Sequence, residues 1–110
     1  MYNGCLLGET AISKDIRDAL KKAGWRVERI NAGMVKVTGG FLHLASKGTP
    51  DSLCMKTGKL WGWLETKVPF GKGLNENQIK WHDWARSVGI NVDVVRSKEE
   101  ALAAVNEWKS

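Results

Sequence analysis

The chain has 110 residues, 43% of them hydrophobic and 26% charged, with a formal net charge of +5. That length accommodates one domain, residues 1–110, with a single two-layer core, and the composition excludes a disordered chain. No apolar run approaches the roughly 20 residues of a membrane span. Residues 1–24 carry no basic stretch followed by an apolar one, so no signal peptide is expected and the cytoplasm is the expected location.

In chain order, "GETAISKDIRDALKKAGW" places Ile12, Ile16, Ala19, Leu20 and Ala23 at helical spacing, with Gly24 as the stop. Extending that apolar face back by three residues reaches Glu9, which would then point inward. "WRVERI" alternates as a strand does, "NAG" reads as a turn and "MVKV" as a second strand. "FLHLA", after Gly39-Gly40, either continues that strand or forms one of its own. "SLCMK" and "KLWGWLETKV" read as strands joined at Thr57-Gly58-Lys59. "PFGKG" has the composition of a mobile loop. "NENQIKWHDWARSVG" is a helix with Trp81, Trp84, Ala85 and Val88 as its apolar stripe, Asn75 and Gln78 at capping-box spacing, and Gly89 at its end. "INVDVV" is a further strand. Ser97 and Glu100 open a last helix, whose apolar face is Ala101, Leu102, Val105 and Trp108. The late β-α-β crossover sets "INVDVV" parallel to the strand bearing "ETK". The pattern predicts an α/β fold with a mixed sheet, helices on both faces, and the order α-β-β-β-(β)-α-β-α.

A three-residue loop at 57–59 puts Asp51 opposite Glu65 on adjacent strands, their Cβ atoms roughly 5 Å apart. Lys67, two residues past Glu65, emerges on the same face. Facing carboxylates repel each other. Such a pair calls for a bound cation, a shared proton or a counter-ion such as Lys67. Hard divalent ions are held by one or two carboxylates together with substrate phosphates, and a basic protein favours a polyanion such as nucleic acid. Spacing alone leaves a plain salt bridge and a metal site side by side.

"KGTPD" at 47–51, a hairpin and "ETK" at 65–67 resemble the PD-(D/E)XK nuclease signature. Glu9, "RINAG" at 29–33, "GLNENQIKWHDWARSVG" at 73–89 and "VDVVRSKEEAL" at 92–102 extend the likeness over nearly the whole chain, to the VRR-NUC (virus-type replication-repair nuclease) family, in its stand-alone phage and bacterial form. The resemblance implies a restriction-endonuclease-like core and an Mg²⁺- or Mn²⁺-dependent endonuclease. The expected substrate is branched DNA, including Holliday junctions, cut by a homodimer without a small-molecule cofactor. It implies Asp51, Glu65, Glu9 and the carbonyl of Thr66 as metal ligands, Lys67 as the catalytic lysine and Gln78 as a polar residue near the active site. At position 66 the family more often has an aliphatic residue. Lys47, Lys72, Lys80 and Arg86 are the expected phosphate contacts. A flap- or end-specific nuclease is the rival of the same class, and a non-catalytic nucleic-acid-binding module the rival of another. Cys5 and Cys54 are too far apart for a disulfide framework or a zinc knuckle and read as free thiols. His43 and His82 read as structural or surface residues, and the six tryptophans as mostly core.

Overall fold

The computed structural model describes residues 11–30, 34–43 and 46–110. The elements run α1 (Ala11–Lys22), β1 (Arg26–Arg29), β2 (Met34–Val37), β3 (Gly40–His43), β4 (Ser52–Met55), β5 (Trp61–Thr66), α2 (Glu76–Ser87), β6 (Asn91–Val95) and α3 (Lys98–Asn106). Five strands therefore precede α2, where the sequence pattern predicts three or four. The difference lies in β2 and β3. Among the described residues they pair with each other, as an antiparallel hairpin, while the main sheet has the order β1-β4-β5-β6. "FLHLA" thus begins a strand of its own, because the turn at Gly39, where φ is 89°, reverses the chain after Val37.

In the main sheet β1, β4 and β5 are antiparallel neighbours and β6 lies parallel to β5, as the crossover rule requires. The loop at 57–59 sets the register. Lys56 N–H bonds to the Leu60 carbonyl at 2.9 Å, and the pairs Ser52–Leu64 and Leu53–Trp63 follow. One step further along this register, Asp51 faces Glu65.

Partners across a ladder share a face, so Ser52, Cys54 and Leu64 lie together on one side. There they meet α1 and α3. Ile16, Leu20, Cys54, Leu64, Val95, Ala101, Val105 and Trp108 form the buried core. Each of the larger aliphatic side chains gains roughly 1.5–3 kcal/mol from burial. Trp25 meets Trp108 edge-on, with ring centroids 5.6 Å apart, and the Trp108 indole N–H donates to Asp93 Oδ2 at 2.7 Å, so its polar end is satisfied. Cys54 is fully buried, which pushes its thiol up to about 12. Helices α1 and α2 end alike. Trp25 N–H bonds to the Leu20 carbonyl and Gly24 N–H to that of Lys21, and Ile90 and Gly89 repeat the pattern on Ala85 and Arg86.

The other face of the sheet carries Leu53, Trp63 and Glu65, and α2 covers part of it. Here the structure departs from the predicted stripe. Ala85 is buried and Trp81 half-buried, but Trp84 and Val88 are 54% and 55% exposed, while His82 is 1% exposed. The helix is rotated so that Gln78, His82 and Ala85 face inward. Gln78 is drawn to Lys67, and the loop before β4 packs on the backbone of Asn77. The tryptophans move to the flank, where Trp81 still reaches Trp63 edge-on at 5.3 Å. The tryptophans are therefore not mostly core: Trp25 and Trp108 are buried, Trp61, Trp63 and Trp81 half-buried, and Trp84 exposed. The capping box is complete at α2, with Gln78 N–H on Asn75 Oδ1 and Asn75 N–H on Gln78 Oε1, both at 2.9 Å. At α3 Ser97 accepts from Glu100 N–H, but the Glu100 carboxylate reaches one residue further back, to Arg96 N–H at 2.9 Å. No helix among the described residues is long and apolar enough to cross a membrane.

Candidate metal and nuclease site

Asp51 sits where three strands end. Pro50 before it is fully buried and has no N–H to satisfy. The Asp51 carbonyl accepts from Ile30 N–H at 2.7 Å, which carries the β1–β4 ladder one residue past β4. Its side chain turns to β5. Oδ2 accepts from Thr66 N–H at 2.8 Å, and Oδ1 from Ser52 Oγ at 2.9 Å and Thr66 Oγ1 at 3.4 Å. The neighbouring Lys67 N–H points to the opposite edge, onto the Val95 carbonyl at 3.0 Å. Backbone polar groups alternate along a strand, so both the N–H and the carbonyl of Thr66 lie on the Asp51 side.

Glu65 is 6% exposed, and its carboxyl lies within hydrogen-bonding reach of Asp51. The sequence thus brings its two acids together in a buried corner. Burial raises the Asp51 carboxyl above its ordinary range, opposed by the hydrogen bonds from Thr66 and Ser52 and by Glu65. A carboxyl raised on folding holds its proton to higher pH than in the unfolded chain, so stability is present below the ordinary carboxylate value and falls as pH rises through the raised one. In metal-free protein, the Asp51→Asn variant is expected to flatten that fall, since an amide oxygen still accepts from Thr66 N–H. Thermal melts in EDTA between about pH 4 and 7 check this. Parallel profiles for wild type and variant would contradict it.

Lys67 is half-buried, and its Nζ donates to Gln78 Oε1 at 3.1 Å. The same oxygen accepts from Asn75 N–H. Gln78 therefore caps α2 and holds the lysine at once. One turn further on, His82 has neither ring nitrogen hydrogen-bonded among the described residues, and burial first, then Arg86, lowers its pKa. It is 1% exposed, enclosed rather than open to an external ligand.

Outside the acids, Ser46, Lys47, Asn77, Lys80, Trp81 and Trp84 line an open groove of about 400 Å³. Lys80 shares its ammonium with Glu76 at 3.4 Å on the helix surface, a pair of little strength in water. Lys72 lies in the loop after Lys67. Arg86 does not join this group: its guanidinium is tied to the Val92 carbonyl at 3.3 Å. The "PFGKG" segment is not the loose loop its composition suggests. Gly71 N–H closes a turn on the Val68 carbonyl at 3.1 Å, and the Arg96 guanidinium grips the carbonyls of Val68 and Lys72. Within the turn Phe70 holds φ at 62°, a left-handed conformation that costs a residue with a side chain about 1–2 kcal/mol.

No family model matches the chain, and no curated protein matches it. A solved structure of a VRR_NUC domain does, with a TM-score of 0.67 over 92% of this chain and 97% of that one, at 20% sequence identity. The fold is that of a VRR_NUC domain. Both chains are spanned almost in full, so the VRR_NUC likeness covers most of the architecture. This agrees with the restriction-endonuclease-like core expected from the sequence.

On this VRR_NUC scaffold, Asp51, Glu65, Thr66, Lys67 and Gln78 come together at one end of the sheet. Lys47 and Lys80 share the groove beside them. Glu9 lies outside the described residues, as do Cys5 and the "NAG" turn. No third His, Cys, Asp or Glu joins the two acids among the described residues. Two carboxylates and a peptide carbonyl are all hard oxygen donors, which fits Mg²⁺ or Mn²⁺ better than zinc. Sequence reasoning missed Ser52 as a partner of Asp51, although it is the adjacent residue. It also missed Arg96, for which no local pattern gave a signal.

Proposed function

We propose that this protein is a metal-dependent DNA endonuclease of the PD-(D/E)XK type. The observation that carries the reading is the meeting of Asp51 and Glu65 at the strand ends, with Lys67, two residues past Glu65, bound to Gln78. The VRR_NUC fold and the net charge of +5 support it. Asp51, Glu65, the Thr66 carbonyl and Glu9 would hold Mg²⁺ or Mn²⁺. A bound ion of this kind polarises a phosphodiester and lowers the pKa of a water. Lys67 brings its ammonium to the scissile phosphate and stabilises negative charge as it develops there. Gln78 fixes where that ammonium stands. Ser52 and Thr66 N–H hold the Asp51 carboxylate in one orientation, so it need not reorganise during reaction.

Lys47, Lys80 and Trp84 give the DNA a path to the acids, with Lys72 on the other side of Lys67. Arg86 is the weakest of the expected phosphate contacts, being already engaged with Val92. The substrate we favour is branched DNA such as a four-way junction, cut by a homodimer. Two symmetric cuts need two sites at a fixed spacing, and one chain supplies one.

Labelled four-way junction, flap and linear duplex test the reading, each with Mg²⁺ or Mn²⁺ and with EDTA. Metal-dependent cleavage is expected, with paired symmetric cuts on the junction. Preference for the flap or for ends would replace the substrate part of the proposal. Binding without cleavage of any of the three would overturn the enzyme in favour of a binding module. A monomer by gel filtration on bound junction would remove the homodimer.

A further inference from the structure

We infer that Phe70 is a stacking wedge that meets the open face of a base pair where DNA stacking is interrupted, and so selects branched over continuous duplex. The inference rests on the nuclease reading above for its substrate, and on an independent feature of the chain for its evidence. Phe70 occupies the third position of the turn Val68–Gly71, closed by the bond from Gly71 N–H to the Val68 carbonyl. Pro69 suits the second position, but a positive φ at the third is the place for glycine or asparagine. Among the described residues Phe70 is the one non-glycine with a positive φ. The turn at Ser46–Thr49, on the far side of the acids in sequence, has the same hydrogen bond and places Gly48 at its third position. The chain thus uses glycine where the turn alone is at stake, and phenylalanine in the turn next to Lys67.

That phenylalanine packs against nothing among the described residues. It is fully exposed, while an apolar side chain ordinarily gains by leaving water. Its backbone is anchored, since Arg96 bonds to carbonyls on both sides of it. Strain, full exposure and an anchored backbone together describe a side chain presented to something outside. Lys67 stands three residues before it and Lys72 two after, and a basic surround fits a polyanion. The π-face of a base is the apolar surface a polyanion offers, and aromatic stacking on it is tolerant of sequence. Inside continuous duplex that face is already covered and must be unstacked first. At a junction, flap or end it is open.

The test compares wild type, Phe70→Gly and Phe70→Trp as full chains, by thermal melting and by binding in EDTA to a four-way junction and a matched linear duplex. The junction carries 2-aminopurine at the branch point. Phe70→Gly is expected to melt at or above the wild-type temperature, because glycine accepts the turn without strain. Its junction-over-duplex affinity ratio should fall roughly tenfold, the effect of one lost stacked base, and the 2-aminopurine response should vanish. Phe70→Trp should restore both. An unchanged ratio in Phe70→Gly overturns the wedge. So does an equal loss on junction and duplex, or a lower melting temperature, each of which marks Phe70 as structural. These readouts need no cleavage. A wild type that gives the fluorescence response yet cleaves nothing would keep the wedge and remove the nuclease.

Discussion

Lys67→Ala is expected to slow DNA cleavage by roughly 10²–10³-fold, the usual loss when one preorganised charge or donor at the reacting group is removed. It should do so with the fold intact. Lys67 is half-buried, and its ammonium donates to Gln78 Oε1. Removing the ammonium does not orphan that oxygen, which keeps Asn75 N–H at 2.9 Å. Stability should therefore change by less than about 1 kcal/mol. Lys67→Arg is not expected to rescue, because a planar fork does not replace a point charge held by a single acceptor. Single-turnover cleavage of a four-way junction in Mn²⁺, alongside a thermal melt of each variant, decides the matter. Cleavage within threefold of wild type at unchanged melting would remove Lys67 from the reaction.

Gly48→Ala is expected to be the most damaging small substitution near the site, for a different reason. Gly48 holds φ at 90°, and a Cβ there would lie 2.2 Å from the Asn77 carbonyl oxygen and 2.5 Å from its carbon. Both neighbours are backbone in the first turn of α2, so neither can rotate away. The left-handed strain and the forced separation together should cost roughly 3 kcal/mol. For a domain of this size that lowers Tm by roughly 15 °C. Because residues 46–50 lead directly into Asp51, separating this loop from α2 should also displace the carboxylate and reduce cleavage in the protein that remains folded. A melt within about 3 °C of wild type would show that the contact is not rigid.

The sequence was most legible where local chemistry decides the geometry. A three-residue loop decides which strand residues face each other, so the meeting of Asp51 with Glu65 is legible in the spacing. The capping residues Asn75 and Ser97 and the stops at Gly24 and Gly89 were readable for the same reason. What could not be read depends on distant partners. The spacing of Trp81, Trp84, Ala85 and Val88 is helical, but which side of α2 turns inward is settled by Gln78 reaching Lys67 and by Gly48 packing on Asn77. The loop after Lys67 has a flexible composition, yet an arginine 28 residues away from Val68 holds it.

The oxygen of Gln78 that both starts a helix and holds Lys67 has a mechanical consequence. Helix ends fray, and the opening of the first turn of α2 would let go of the lysine in the same motion. Order at the helix start and readiness of the amine are then one equilibrium rather than two. The groove residues Asn77 and Lys80 stand on that same turn and the next. DNA seated against them would shift this equilibrium toward the closed turn, so that the lysine is firmest when there is a phosphate for it to meet.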